Sequence, residues 1–469
     1  MWNSIKNEWR FWARKGTMIW TSVGFIGILL LSVYLGFVQR QEQMQAYESA
    51  QAHMRNQWES IKAMNPHGAA HYGTYVFKPA TLLSSLDEGV NSITGNVLKV
   101  EGHVQNEIVH SEASQMQTIS KFGKLKSALL LQYIIPLLLI FLGFQSINSE
   151  KQSGRIKLLV LQGASLTRIV WAKTISTCLY GLGLLALTIG VHVLLNWGMI
   201  NADITWRVIG LFLSYALYYF VLSGLVVYFS IRWKNTGLAL TTMLGFWIIW
   251  TIFLPNILMS SVEKWHELPS RVEFKANMSE DRSQGLDGHN PRDERRKNLE
   301  TKVLAEYGVD SLSKLPINFD GIVMQEDEEY GNKVWDKHFG QLRSTLKEQK
   351  KAYQLGGVID PFIALQNASM GLAASDNFHH QEFLVQVENY RRSFIKMLND
   401  EHAFGGSQTG DWSWKADTDF FKSVPDFAYT PTSISSVASN YLTDFLVLSF
   451  WGLAVGLMLI FGTRNLQLI

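Results

Sequence analysis

The sequence predicts an all-α membrane protein with six transmembrane helices, an N-terminal interfacial helix, and a mainly α-helical extracytoplasmic domain assembled from two insertions. Three observations lead there. Apolar runs of spanning length recur along the chain, and about 20 apolar residues suffice to cross a hydrocarbon core about 30 Å thick. Only 17% of the 469 residues are charged and 47% are hydrophobic, yet the mean hydropathy is just +0.03. Soluble domains carry roughly 25% charge, so this flat average means spans mixed with polar domains. Basic loops also alternate with a loop poor in positive charge, as the positive-inside rule requires of a threaded chain. The formal net charge of +2 leaves no nucleic-acid footprint. The single cysteine, Cys178, lies in an apolar run, which excludes a disulfide framework and a cysteine metal cluster.

Residues 1–16 place Trp2, Ile5, Trp9 and Trp12 on one helical face, with Lys6, Arg10, Arg14 and Lys15 on the rest. Indoles at headgroup depth and cations beside anionic lipid make this an interfacial helix. The run 17–38 is long enough to span and is followed by no small-residue cleavage site, so it reads as an uncleaved first span with the amino terminus in the cytoplasm. Residues 39–126 form the first insertion, helical near the membrane, with a turn-rich centre at 65–73 and Phe77-Lys78-Pro79. His67 and His71 stand four apart, as metal ligands on a helix do. Pro66, Gly68 and Gly73 argue against a regular helix, and no HExxH glutamate is present, so they read as structural histidines.

The second span, 127–147, contains Pro136, whose freed carbonyl calls for a neighbouring helix or hydroxyl. The loop 148–173 is too basic for hydrocarbon. Within it Ile156, Leu159 and Val160 are spaced as one helical face, Gly163 gives a turn, and Ser165 is placed to cap the next helix. Residues 174–258 hold the third to fifth spans (174–197, 207–231 and 236–258), with an outside hairpin at 198–206 and a basic loop at 232–235. The second insertion, 259–440, predicts helices over 291–308, 326–353 and 376–399. In the last, Asp376 caps, and Phe378, Phe383, Val387 and Tyr390 form an apolar stripe. An aromatic tail with Trp412, Trp414, Phe420, Phe421, Phe427 and Tyr429 reads as core. The sixth span is 441–462 and the tail 463–469 is cytoplasmic.

Glu150, Gly154, Leu158, Leu159, Gly163-Ala164-Ser165 and Lys173 resemble the first cytoplasmic loop of ABC type-2 transporter permeases. That loop often reads E-x-E-x-G-T-x-E-x-L-L, then P-x-S, with a lysine eight residues after the serine. Here Gln152, Arg155, Lys157 and Gly163 depart from the pattern, and an ordinary basic loop is the alternative. The six-span plan, the interfacial helix and the position of the loop between the second and third spans extend the resemblance to nearly the whole chain. So do His71-Tyr72-Gly73, Phe77-Lys78-Pro79, Asp360-Pro361, His379-His380-Gln381-Glu382-Phe383 and Tyr390-Arg391, which are similar to a branch with two large extracytoplasmic insertions. The resemblance implies a bacterial inner-membrane permease whose 148–173 loop couples to a separate ABC ATPase dimer, which would hold ATP and magnesium. It also implies a second permease subunit, identical or a paralogue, and export of a hydrophobic or amphiphilic compound.

The residues themselves hold no phosphate loop, no G-x-S-x-G and no HExxH, so the chain carries no cofactor and no enzyme site of a familiar kind. His379 and His380 are the candidates for a metal, but adjacent helical side chains diverge by about 100°. His192, in the third span, and Asp444, near the outer end of the sixth, are candidates for a transport path because ionisable groups in spans are costly. At the interface Asp444 is expected to stay wet. The competing reading, motivated by insertions that make up over half the chain, is an ABC-coupled mechanotransmission or scaffold protein. It would act on a periplasmic or outer-membrane partner without passing a substrate.

Overall fold

In the computed structural model the described residues are 2–14, 16–105, 125–233 and 235–464. Lys15, Lys234, residues 106–124 of the first insertion and 465–469 of the tail lie outside them. The chain is helical with almost no sheet, and six helices are long and apolar enough to cross a membrane. Helix α1 (Trp2–Arg14) buries only Ile5. Helix α2 (Gly16–Glu59) contains the first span and runs on without a break. At 1.5 Å per residue its 44 residues reach about 66 Å, roughly twice the hydrocarbon thickness. Its second half is therefore a stalk within the first insertion.

The centre of that insertion holds a correction. Residues 66–72 form a helix, α3 (Pro66–Tyr72); of the residues that read as breakers, Pro66 and Gly73 are its boundaries and Gly68 lies within its first turn. Pro66 sits in the first turn, where its missing N–H costs nothing, and Asn65 Oδ1 accepts from His67 N at 2.9 Å as the N-cap. Gly73 ends the helix at φ +64°, where a Cβ would lie 2.3 Å from the Val100 carbonyl oxygen. The strands β2 (Thr74–Phe77) and β3 (Val97–Val100) then pair antiparallel, Thr74 opposite Val100. Ahead of α3, β1 (Ala63–Met64) pairs with β4 (Ala416–Asp417), tying the two insertions together.

The second span is α4 (Ser127–Gln152), with a π-turn at Leu130–Ile134 just before Pro136. As expected, a hydroxyl meets the carbonyl freed there: Tyr219 Oη donates to Leu131 O at 2.7 Å. The loop helix α5 (Arg155–Leu161) follows, then the spans α6 (Leu166–Leu195), α7 (Ala202–Arg232) and α8 (Thr236–Trp265). α8 passes through Pro255, where the sequence suggested an end, because a π-turn at Ile249–Phe253 absorbs the missing bond. In the second insertion α9 (Arg271–Gln284) starts with a Ser270–Glu273 capping box that the sequence reading passed over. α10 (Arg292–Tyr307) ends on left-handed Gly308 as the sequence suggested, and α11 (Phe319–Leu355) begins seven residues earlier than expected, at the Asn318 cap. α12 (Pro361–Leu372) is apolar and packs against the spans; α13 (Asn377–Phe404) opens on the expected Asp376 cap, and α14 (Ile434–Arg464) is the sixth span.

Two cores result. One joins the spans with α12. The other joins Trp58, Val76 and Val100 of the first insertion to Phe383, Phe394, Leu398 and Phe421 of the second, so both insertions build one domain. Across that domain Arg391, 2% exposed, donates from Nη1 to Glu328 (3.0 Å), from Nε to Glu388 (2.9 Å) and from Nη2 to Asn332 (2.5 Å). Breaking a buried pair strands the partner charges. Arg391→Met is expected to cost about 3–5 kcal/mol and to lower the thermal transition by on the order of 10 °C in scanning calorimetry of the detergent-solubilised chain.

Candidate functional site

The 148–173 loop is fixed at its start by α7. Gly143 lies against Val226, where a Cβ would meet Val226 Cγ1 at 2.0 Å. Ser230 Oγ donates to Phe144 O (2.9 Å) and accepts from Ile147 N and Asn148 N, and Lys151 Nζ donates to Ile231 O at 3.0 Å. Gly154 then turns the chain at φ +74°, a left-handed value that costs a residue with a Cβ roughly 1 kcal/mol. Helix α5 buries Ile156, and Val160 packs against the span core. Leu159, predicted on that same face, is instead exposed, along with Leu158 and Leu161 at 59% and 84%. Seven residues, about two turns, meet the spans along one narrow edge that Ile156 and Val160 already occupy, and the leucines form an exposed face. Gly163 reverses the chain at φ +89°, and Ser165 Oγ accepts from Arg168 N at 3.2 Å, as its N-cap reading requires.

Lys173, two turns into α6 and 3% exposed, points back at this loop. Its Nζ lies 3.1 Å from Glu150 Oε1 and 2.5 Å from Glu8 Oε1 on α1. Glu8 is the residue the sequence reading missed. Its signal was present: it is the only acid among the first 41 residues, set in a strongly basic helix. Burial raises the Glu8 pKa above its ordinary value while the Lys173 ammonium pulls it back. Arg155 lies over the Phe11 ring at 5.9 Å, a second link between α5 and α1. Trp2 and Trp9 stand exposed on α1, and Trp12 meets Tyr180 edge-on at 6.3 Å.

The other candidates fall elsewhere. His192 is 1% exposed on α6, and its Nε2 has no hydrogen-bond partner among the described residues. Asp444, expected to remain wet, is 1% exposed, because Gln354 Nε2 (2.7 Å) and Asn367 Nδ2 (3.4 Å) take the place of water. His379 Nδ1 lies 2.6 Å from Asp376 Oδ1, whose other oxygen accepts from Tyr441 Oη (2.8 Å) and Lys350 Nζ (3.1 Å). His380 is buried, and burial with the nearby Lys78 charge pushes it down to about 4. The histidines the structure does bring together are His67, His71 and His103.

Two family comparisons bear on this arrangement. The model of the ABC-2 family transporter proteins matches residues 2–301, from the interfacial helix through all five leading spans. The chain belongs to the ABC-2 transporter family. A domain of unknown function, DUF3526, matches residues 271–430, most of the second insertion. No curated protein and no solved structure matches the chain. As an ABC-2 family member it is a multi-pass membrane component of a transport system.

Lys173→Met leaves Glu8 and Glu150 beside each other with only the Arg155 charge, which makes no ion pair with Glu8, to offset them. The expected cost is about 2–4 kcal/mol, below that of a fully buried pair because both acids keep some solvent contact. It should also release α1, read as faster thiol labelling of an Ile5→Cys reporter in a Cys178→Ala background. Asp376 offers a pH signature. Its burial raises the pKa, but the His379 bond and the Lys350 charge together hold it below the ordinary 3.8. A depressed carboxyl contributes stability that is present above the unfolded value and lost as pH falls below it. Asp376→Asn should therefore lower the thermal transition at neutral pH, with the gap to the parent closing below about pH 4.

Proposed function

We propose that this chain is the membrane-spanning permease subunit of an ATP-driven exporter in a bacterial inner membrane. In this reading both termini and the 148–173 loop are cytoplasmic. A separate ABC ATPase dimer, carrying ATP and magnesium, seats on α5, and a second permease subunit completes the complex. The observation that carries the reading is the leucine face of Leu158, Leu159 and Leu161, displayed on a short helix whose root, Ile156, is buried. A partner that closes on ATP pushes that face. Gly154 and Gly163 let α5 move as a unit, and Ser165 with the Lys173 cluster passes the displacement to α6 and α1.

A hydrophobic or amphiphilic cargo is supported by a cleft of about 270 Å³ between α2 and the first insertion. Tyr47 and Phe77 give it apolar wall, while Arg40 and Lys78 give it positive charge beyond the Lys126–Glu88 ion pair (3.0 Å) that also lines it. Such a mixture suits a molecule with an acidic head and an apolar body.

The mechanotransmission reading retains one favourable observation. The insertion domain is bolted to the spans: Arg207 Nη2 donates to Thr432 O at 2.7 Å, and Asp203 accepts from Ile434 N. ATP-driven tilting of the spans would therefore move that domain.

Leu161→Asp places a charge on the proposed seat without touching the core. Co-purification with the partner ABC ATPase, and stimulation of its ATP hydrolysis, should fall about tenfold or more, since losing a central apolar anchor costs about 2 kcal/mol. Unchanged association would remove the coupling role. If coupling holds but proteoliposomes containing both subunits show no ATP-dependent loss of lipophilic cargo, the mechanotransmission reading takes its place.

A further inference from the structure

We propose that His67, His71 and His103 form an open three-histidine site for a divalent transition-metal ion of the zinc class, at the junction of the two insertions. One ring nitrogen from each lies within 4.8 Å of the other two. His67 and His71 stand one turn apart on α3, with their Nε2 atoms 3.1 Å apart. Zinc–imidazole bonds of about 2.0–2.1 Å in a tetrahedron place ligand nitrogens roughly 3.3 Å from each other, so this pair needs almost no movement. On ligation both Nε2 lone pairs turn to the ion, and each ring keeps its proton on Nδ1.

His103 is built for the third position. It is one of two residues other than glycine at positive φ among those described, at +63°. Two residues of the second insertion, Glu328 and Arg282, hold it there. Its N–H donates to Glu328 Oε1, its carbonyl accepts from Arg282 Nη1 at 2.9 Å, and its Nδ1 lies 2.8 Å from Glu328 Oε1. Glu328 is itself anchored by Arg391. A carboxylate on one imidazole nitrogen fixes the ring and leaves the other nitrogen facing a metal, the arrangement that orients histidine ligands in zinc sites. His71 is exposed and His103 half-buried, so a fourth position stays open to water or to a ligand carried by another molecule. Imidazole donors without thiolate suit zinc, nickel or copper over calcium and magnesium.

None of this depends on the permease reading, and the experiment is likewise separate from it. The full chain in detergent is stripped with chelator and titrated with zinc against a chromophoric competitor. One equivalent per chain should bind at micromolar Kd or tighter. His67→Ala, His71→Ala and His103→Ala should each weaken binding about a hundredfold, and Glu328→Gln about 10- to 100-fold. His289→Ala, an exposed histidine elsewhere, should change nothing. Each metal-free variant is checked by its thermal transition. X-ray absorption on the unmodified protein, which needs no variant to fold, should give three imidazoles at about 2.0–2.1 Å from the ion. No zinc bound at micromolar concentration, binding that survives loss of all three histidines, or a shell of oxygens without imidazole would overturn the proposal.

Discussion

The ammonium of Lys173 is the constraint on which the loop end of the bundle depends. A cation almost removed from solvent near the end of an apolar helix must be paired, because its desolvation costs several kcal/mol. Here the pairing is divided between two acids on different elements, Glu150 at the end of α4 and Glu8 on α1. One charge thus sets where the interfacial helix lies, where the second span stops, and how α6 begins. It also explains why α5 can be so lightly held. With its two ends placed by Glu150 and Lys173, the helix needs only Ile156 and Val160 for contact, and its leucines are left outward.

The opposite end is held differently. Gln132 Nε2 on α4 lies within 3.3 Å of Asp87 of the first insertion, Tyr215 of α7 and Ser369 of α12, all buried, and shares its two N–H groups among them. Asp376 gathers Lys350, His379 and Tyr441, bringing α11, α13 and α14 to one carboxylate. Such networks are costly if half-satisfied and rigid when complete. The insertion domain is consequently an extension of the bundle, joined to it by polar clamps rather than by a linker.

Most of the plan was legible in the sequence because spans are written as long apolar runs and caps as single residues: Ser165 and Asp376 cap where their chemistry says they should. The hydroxyl for Pro136 was expected, although nothing local named Tyr219. What was not legible depends on distance along the chain. Glu8 meets Lys173 across 165 positions, and His103 finds Glu328 across 225. Pro66 and Gly73 misled for another reason. They carry the same local signal inside a loop and at the two ends of a two-turn helix, and only the Asn65 cap distinguishes the cases. Leu159 misled because a face assigned by periodicity says nothing of whether a neighbour exists to cover it.

The packing also limits which surfaces remain to move or to meet another molecule. α4 and α7 are joined along their whole length, by Ser230 at the loop end, Gly143 against Val226, Tyr219 on the carbonyl before Pro136, and Tyr215 at Gln132. They are also the most enclosed spans, with 61% and 56% of their apolar windows buried. Two helices so tied shift as one body, since a packed interface with interlocked hydrogen bonds does not deform continuously. α2, α8 and α14 bury only 28%, 22% and 22%. Their apolar outer faces are where lipid or the second subunit of the proposed transporter meets this chain. In the proposed transporter, a path for an amphiphile between two subunits would run along them toward the cleft of Arg40, Lys78 and Lys126, which α2 itself lines.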